Sequence, residues 1–142
     1  MTSANNTSSA EADGSGTPAL GVAASVSVNN NDVTGEASLG GGITLTAGGA
    51  LIVRSTLNND ASVRASSTAV LNETSVSAAV GTIVADIESR AVVGASSTIQ
   101  ADGVIVESLM GVNTYALEAL AGSGGENLAI AGSVTVLSLI HI

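Results

Sequence analysis

Residues 45–55, LTAGGALIVRS, return as residues 99–108, IQADGVIVES, and this match is one part of a self-similarity that runs through the chain. A single shift that moves Gly21-Val22-Ala23-Ala24-Ser25-Val26 onto Ser75-Val76-Ser77-Ala78-Ala79-Val80, applied again, reaches Ala129-Ile130-Ala131-Gly132-Ser133-Val134. The same offset lays Asp32-Val33 on Asp86-Ile87, Ala37 on Ala91, Leu39-Gly40 on Val93-Gly94, and Leu45 and Ala47 on Ile99 and Ala101. One residue drops out before Leu51-Ile52-Val53, which match Val104-Ile105-Val106, and residues 5–12 match residues 58–65. A period of this size implies a fold assembled from one unit used repeatedly. The chain then divides into a partial copy 1–20, copies 21–74 and 75–128, and a partial copy 129–136, with Met1 inside a copy. Units cut at both ends would expose unpaired strand edges, which predicts self-association.

What the copies share is packing character. The matched positions are glycines and small or β-branched apolar residues, whereas charge changes freely: Arg54 faces Glu107 and Arg64 faces Glu11. Apolar residues alternate along Val22, Ala24, Val26 and Val28, along Ile43, Leu45 and Ala47, along Ile99 and Ala101, and along Val104 and Val106. Period two predicts strands with one face in and one face out. Turn signals fall at residues 29–32 (NNND), 40–42 (GGG), 47–49 (AGG), 57–60 (LNND) and 101–103 (ADG). With 17 Gly, one Tyr and no Phe or Trp, the chain can fill only a thin interior. Helical packing is disfavoured, since Gly and β-branched residues are poor in helix interiors; the Ala-rich residues 74–95 carry Val76, Val80, Thr82, Ile83, Val84 and Ile87 and read as strand. The expected class is all-β, a β-solenoid built from repeats of the length of copy 21–74, in which like residues stack at about 4.8 Å. With coils of about 20 residues, each repeat would hold two to three of them. The alternative is a β-sandwich per repeat, in the Greek-key manner of tandem extracellular modules.

Residues 21–55, GVAASVSVNNNDVTGEASLGGGITLTAGGALIVRS, resemble the repeats of very large bacterial surface proteins, the filamentous-haemagglutinin-like and leukotoxin-type filamentous adhesins, and the similarity spans residues 5–136. The resemblance implies a right-handed β-helical shaft on a secreted or surface-displayed protein, a structural spacer that projects a binding tip elsewhere. Its expected location is extracellular or on the bacterial outer surface. Its partners would be the neighbouring repeats of the same chain and, if the repeat surface itself binds, host glycans or proteins. The family brings no catalytic motif, and the chain shows no secretion-signal domain or membrane anchor of a complete member.

Composition narrows the remaining classes. Twelve acidic residues against three Arg and no Lys give a net charge of −9, unsuited to a nucleic-acid backbone or an anionic membrane surface. An acidic exterior is also expected to keep rods from pairing side by side. No stretch approaches the roughly 20 apolar residues of a membrane helix, so no membrane insertion is expected. The N-terminal residues 1–16 have neither the basic nor the apolar region of a signal peptide, and there is no Cys to fix a redox compartment.

No catalytic, cofactor-binding or metal-binding residue is assigned from the sequence. His141 is the only imidazole, which removes a Ser-His-Asp arrangement. A carbohydrate-active β-helix enzyme would need paired carboxylates such as Asp86 and Glu88, which share one strand face, and these read as solvent-facing acids. Calcium is the one cofactor class raised by acidic glycine-rich turns, with Glu126 and Asn127 beside glycines in residues 122–127, yet no calcium nonapeptide is present and no cofactor is expected. Thr44 and Thr46 begin a threonine row that ends at Thr98 and Gln100, so an ice-binding array is not sustained. Asn5, Asn6 and Asn72 head glycosylation sequons of a kind that an Asn/Ser/Thr-rich chain contains by chance. Residues 40–42 and 48–49 read as tight turns, without the Lys of a phosphate loop. Tyr115 is the only aromatic available for stacking on a sugar.

Residues 137–142, LSLIHI, break the pattern, because after Ala131-Gly132-Ser133-Val134 the first copy continues into Asn29-Asn30-Asn31-Asp32. They are what CTG TCT CTT ATA CAC ATC encodes, which looks like a transposon-end adapter of sequencing libraries. They are read as adapter-derived and set aside from the fold argument.

Overall fold

The computed structural model describes residues 2–14, 19–70 and 73–141, and among these it is all-β, with nine strands and no helix. They are β1 (Thr2–Asp13), β2 (Leu20–Leu39), β3 (Thr44–Thr46), β4 (Ala50–Val70), β5 (Thr74–Val93), β6 (Thr98–Gln100), β7 (Gly103–Met110), β8 (Thr114–Gly124) and β9 (Leu128–His141). One sheet, here sheet A, has β4 at its centre, paired on one side with β1 and on the other with β7 and β8 laid end to end. Sheet B runs β2-β5-β9, and β3 pairs with β6 in a short third sheet. Every pairing is parallel, which excludes the antiparallel Greek-key sandwich. Sheets A and B pack face to face, through β4 against β2 and β5 and through β8 against β5 and β9.

The register follows the offsets at which the sequence matches itself. Leu20 pairs with Thr74 and Thr74 with Leu128, Thr44 with Thr98, and Asp60 with Thr114, all at the offset that relates Val22 to Val76. Leu51 pairs with Val104, a step shorter by the one dropped residue. In β1 the pairing departs from the sequence match: Asn5 lies beside Asp60 rather than Asn58. A slip of two leaves each side chain on the same face of the sheet, so packing does not oppose it. Arg64 therefore lies beside Ser9 and Glu118 instead of opposite Glu11, and its Nε stands 3.3 Å from Glu118 Oε2. One circuit of the chain carries it from Leu20 to Thr74, or from Leu51 to Val104, before it meets a neighbouring strand of the same sheet. Coils of about 20 residues had been expected. The cause lies in residues 29–32 and 57–60, read as turns from their asparagines, which sit inside the 20-residue β2 and 21-residue β4. The glycine-rich residues 40–42 and 47–49 do break the chain between strands, as do 101–102.

Those asparagines stay in strands because their inward side chains are hydrogen-bonded. Asn31 Nδ2 donates to Asn59 Oδ1 at 2.6 Å, Asn29 Nδ2 donates to the Asn6 carbonyl at 2.9 Å, and Asn113 Oδ1 accepts the Asn59 backbone N–H at 2.7 Å. Beside them an apolar cluster of Val33, Leu57, Ala61, Val63, Ile83, Ala85 and Ile87 fills the middle of the interior, with Ala4, Tyr115 and Leu117 packed against it. On either side of the cluster, serine pairs join the two sheets: Ser67 with Ser77 at 2.7 Å, and Ser55 with Ser89 at 2.9 Å. The interior of sheet B is thus the reverse of the sequence expectation over part of β2. There Gly21, Ala23, Ser25, Ser27 and Asn29 point inward, while Val22, Val26 and Val28 point out. In the short third sheet the expected faces hold, with Ile43, Leu45, Ala47, Ile99 and Ala101 on the less exposed side, whereas in β7 Val104 and Val106 are 51% and 45% exposed, no less than Ile105 between them at 44%.

The turns after β2 and β5 stack on each other and use the same backbone solution. Gly42 has φ +69°, and Ser96, its counterpart in the next copy, has φ +62°. A Cβ on Gly94 would fall on the backbone of Gly41, so the two turns meet only because position 94 lacks one. Left-handed φ disfavours an L residue with a Cβ. Ser96→Gly is therefore expected to stabilise the fold by about 0.5–1 kcal/mol, the relief of strain being partly offset by the freer unfolded chain. Denaturant unfolding of the variant checks it; a loss of stability would mean the Ser96 turn is not left-handed in solution.

Candidate interaction surface

The outer face of sheet B is built from the positions that alternate with its buried ones. In register, it carries five rows that run across β2, β5 and β9: Leu20-Thr74-Leu128, Val22-Val76-Ile130, Ala24-Ala78-Gly132, Val26-Val80-Val134 and Val28-Thr82-Val136. Val22, Val26 and Val28 are 56–62% exposed, and Ile130 and Val134 are 50% and 55% exposed. The row of small residues, Ala24-Ala78-Gly132, forms a shallow groove between two valine and isoleucine ridges. No charged residue occurs in residues 20–31, 74–85 or 128–140, so the acidic exterior inferred from composition does not cover this face. Acids flank it at both ends: Asp32 and Asp86 lie side by side at one, and the exposed Glu73 and Glu126 precede Thr74 and Leu128 at the other.

The outer face of sheet A is polar by contrast. Its rows run Asn5-Asp60-Thr114, Thr7-Ser62-Ala116, Ser9-Arg64-Glu118 and Asp13-Thr68-Gly122. Arg54 is ion-paired with Glu107, its register partner on β7, and Arg64 with Glu118. Arg64 and Glu118 are at least half exposed, so water screens their attraction and the pair contributes about 1 kcal/mol at most. An open cleft of about 350 Å³ at the β1 edge is lined by Ser9, Ala10, Glu11, Arg64 and Ser66, and holds one acid and one base.

The remaining sequence candidates are scattered. Asp86 and Glu88 do share the outer face of β5, and Glu88 Oε1 is engaged by Arg90 Nε at 3.4 Å on the same strand. Glu126 and Asn127 sit in the exposed turn between β8 and β9, where the Asn127 N–H donates to the Glu73 carbonyl. Among the described residues no group of three or more His, Cys, Asp or Glu side chains is placed to hold a metal ion. Thr44 and Thr46 face outward on β3 beside Thr98 and Gln100. Asn5 is exposed on β1, Asn6 turns to the inner side, and Asn72 lies outside the described residues. Tyr115 is not a surface aromatic: it packs on the apolar cluster, with its hydroxyl 3.4 Å from Asn59 Nδ2. Residues 137–141 continue β9 beside residues 83–87. Parallel pairing is made by backbone groups, so an apolar run of any origin can occupy that position.

No helix among the described residues is long and apolar enough to cross a membrane. The chain matches no family model, no curated protein and no solved structure. The sequence had not singled out the sheet B face, although the signal was present: Val22, Val26, Val28, Val76, Val80, Ile130 and Val134 alternate with Ser, Ala and Gly in all three copies. Period two gives the alternation but not which side is buried.

Proposed function

We propose that the chain is a segment of a right-handed β-solenoid shaft, a non-catalytic spacer of a secreted or surface-displayed bacterial adhesin. The observation that supports it is the pitch: three strands of sheet B lie beside one another in parallel, Leu20 on Thr74 and Thr74 on Leu128, equal steps that can be continued by further copies. A right-handed path is the ordinary one for parallel strands joined by crossovers. In this reading the backbone groups of each tier pair with the tiers above and below, and the interior hydrogen bonds and apolar cluster hold the two long sheets together. What such a structure supplies is reach. The reading is tested at the encoding DNA, by long reads through codon 136. It predicts that the frame continues past Val136 into an Asn-rich stretch and further copies of the same repeat; a genuine stop after residues 137–142 would overturn it.

The second reading is that the repeat surface itself binds host molecules, and the exposed apolar face of sheet B favours a protein over a glycan. Sugar recognition draws on exposed aromatic faces, and Tyr115 is turned inward.

A further inference from the structure

We infer that the outer face of sheet B is a homotypic docking surface, on which a second copy of this chain packs about a two-fold axis that runs along the stacking direction of the strands. The shape argues for a second copy because the face is complementary to itself. A two-fold axis over the Ser25 column sets the Val26-Val80-Val134 ridge on the Ala24-Ala78-Gly132 groove of the other copy, and the reverse. The same axis brings Val28-Thr82-Val136 against Val22-Val76-Ile130, and Leu20-Thr74-Leu128 against Asn30-Val84-Ser138.

Shape selects this arrangement over the other face-to-face solution. With the axis along the stack, the strands of the two faces run in opposite directions and the Val26-Val80-Val134 ridge meets the Ala24-Ala78-Gly132 groove. With the axis along the strands, each row would face its own copy, ridge on ridge and groove on groove. The area is small. A patch of about eleven residues at about 3.3 Å by three strands at about 4.8 Å gives roughly 500 Å² per copy, or about 1,000 Å² in all. That is the lower limit for a specific interface, so the dimer is weak, with a dissociation constant in the micromolar range or above. The inference needs only β2, β5 and β9, and stands or falls separately from the shaft reading.

Sedimentation velocity of the full chain across a concentration series tests it. The expected result is a monomer–dimer equilibrium that closes at two. Val80→Asp should weaken the dimer at least tenfold while the circular dichroism and thermal melt stay those of the parent, and Thr68→Asp on the outer face of sheet A should leave the dimer intact. Ala78→Leu discriminates shape from stickiness: it makes the face more apolar but fills the groove, and it is expected to weaken association. A monomer at all concentrations, or a dimer indifferent to Val80→Asp, would overturn the inference. So would tighter association in Ala78→Leu, which marks unspecific adhesion, or assemblies that keep growing with concentration, which mark end-to-end pairing of strand edges.

Discussion

Ile83→Ala is expected to lower the free energy of unfolding by about 2–5 kcal/mol, whereas Val84→Ala, at the next position, should change it by about 0.5 kcal/mol or less. The two residues are both branched aliphatics on β5 and differ in the face they occupy. Ile83 is fully buried in the cluster with Leu57, Val63 and Ile87, so truncation removes transfer energy and leaves a cavity between two sheets held apart by their other contacts. Val84 points outward and is 37% exposed. Urea unfolding of both variants decides the matter. Equal losses would mean that sheet B is registered one position away from the arrangement described, since a slip of one exchanges its two faces.

Asn59→Leu should cost about 1–3 kcal/mol, although it introduces an apolar residue of similar size into an interior. The reason is Asn31, 6% exposed, whose Nδ2 would lose its acceptor 2.6 Å away and stay buried. Asn31→Leu alone should be costly in the same way, by stranding Asn59 Oδ1. The double variant, which removes both polar partners together, is expected to recover most of the loss. A double-mutant cycle by chemical denaturation reads the coupling directly. Additive losses would show that the Asn31–Asn59 bond contributes nothing to stability.

The all-β class and the strand register were legible in the sequence because they are written in repetition. The offset read from Val22 over Val76 and Asp32 over Asp86 is the register in which those residues pair. The glycine runs at 40–42 and 48–49 gave real turns, since only a residue without a Cβ permits the close approach at Gly94 and the left-handed φ at Gly42 without strain. The asparagines misled. Asn-Asn-Asn-Asp is a turn signal when its side chains bond to their own backbone, and here Asn29 and Asn31 bond across the interior to the strands of sheet A instead. That single difference turns short coils into 20-residue strands. The same error hid the candidate surface, because a Val/Ser alternation was read with the valines inside. Serine can line an interior when a second serine or a carbonyl from the opposite sheet meets it, as in Ser67 with Ser77, and no local pattern announces a partner that lies on another sheet.

The 20-residue span of β2 and β5 has a mechanical consequence. A tier of this width measures about 66 Å along its strands, while two sheets about 10 Å apart with their outer side chains make a thickness of roughly 20 Å. In the proposed shaft that cross-section is a plank rather than a cylinder. Resistance to flexing grows with the square of the dimension in the plane of the bend at constant area, so such a plank is roughly ten times stiffer edgewise than across its flat faces. It would sway toward or away from the face of sheet B and hold firm sideways, and two planks laminated through that face would lose much of the softer direction.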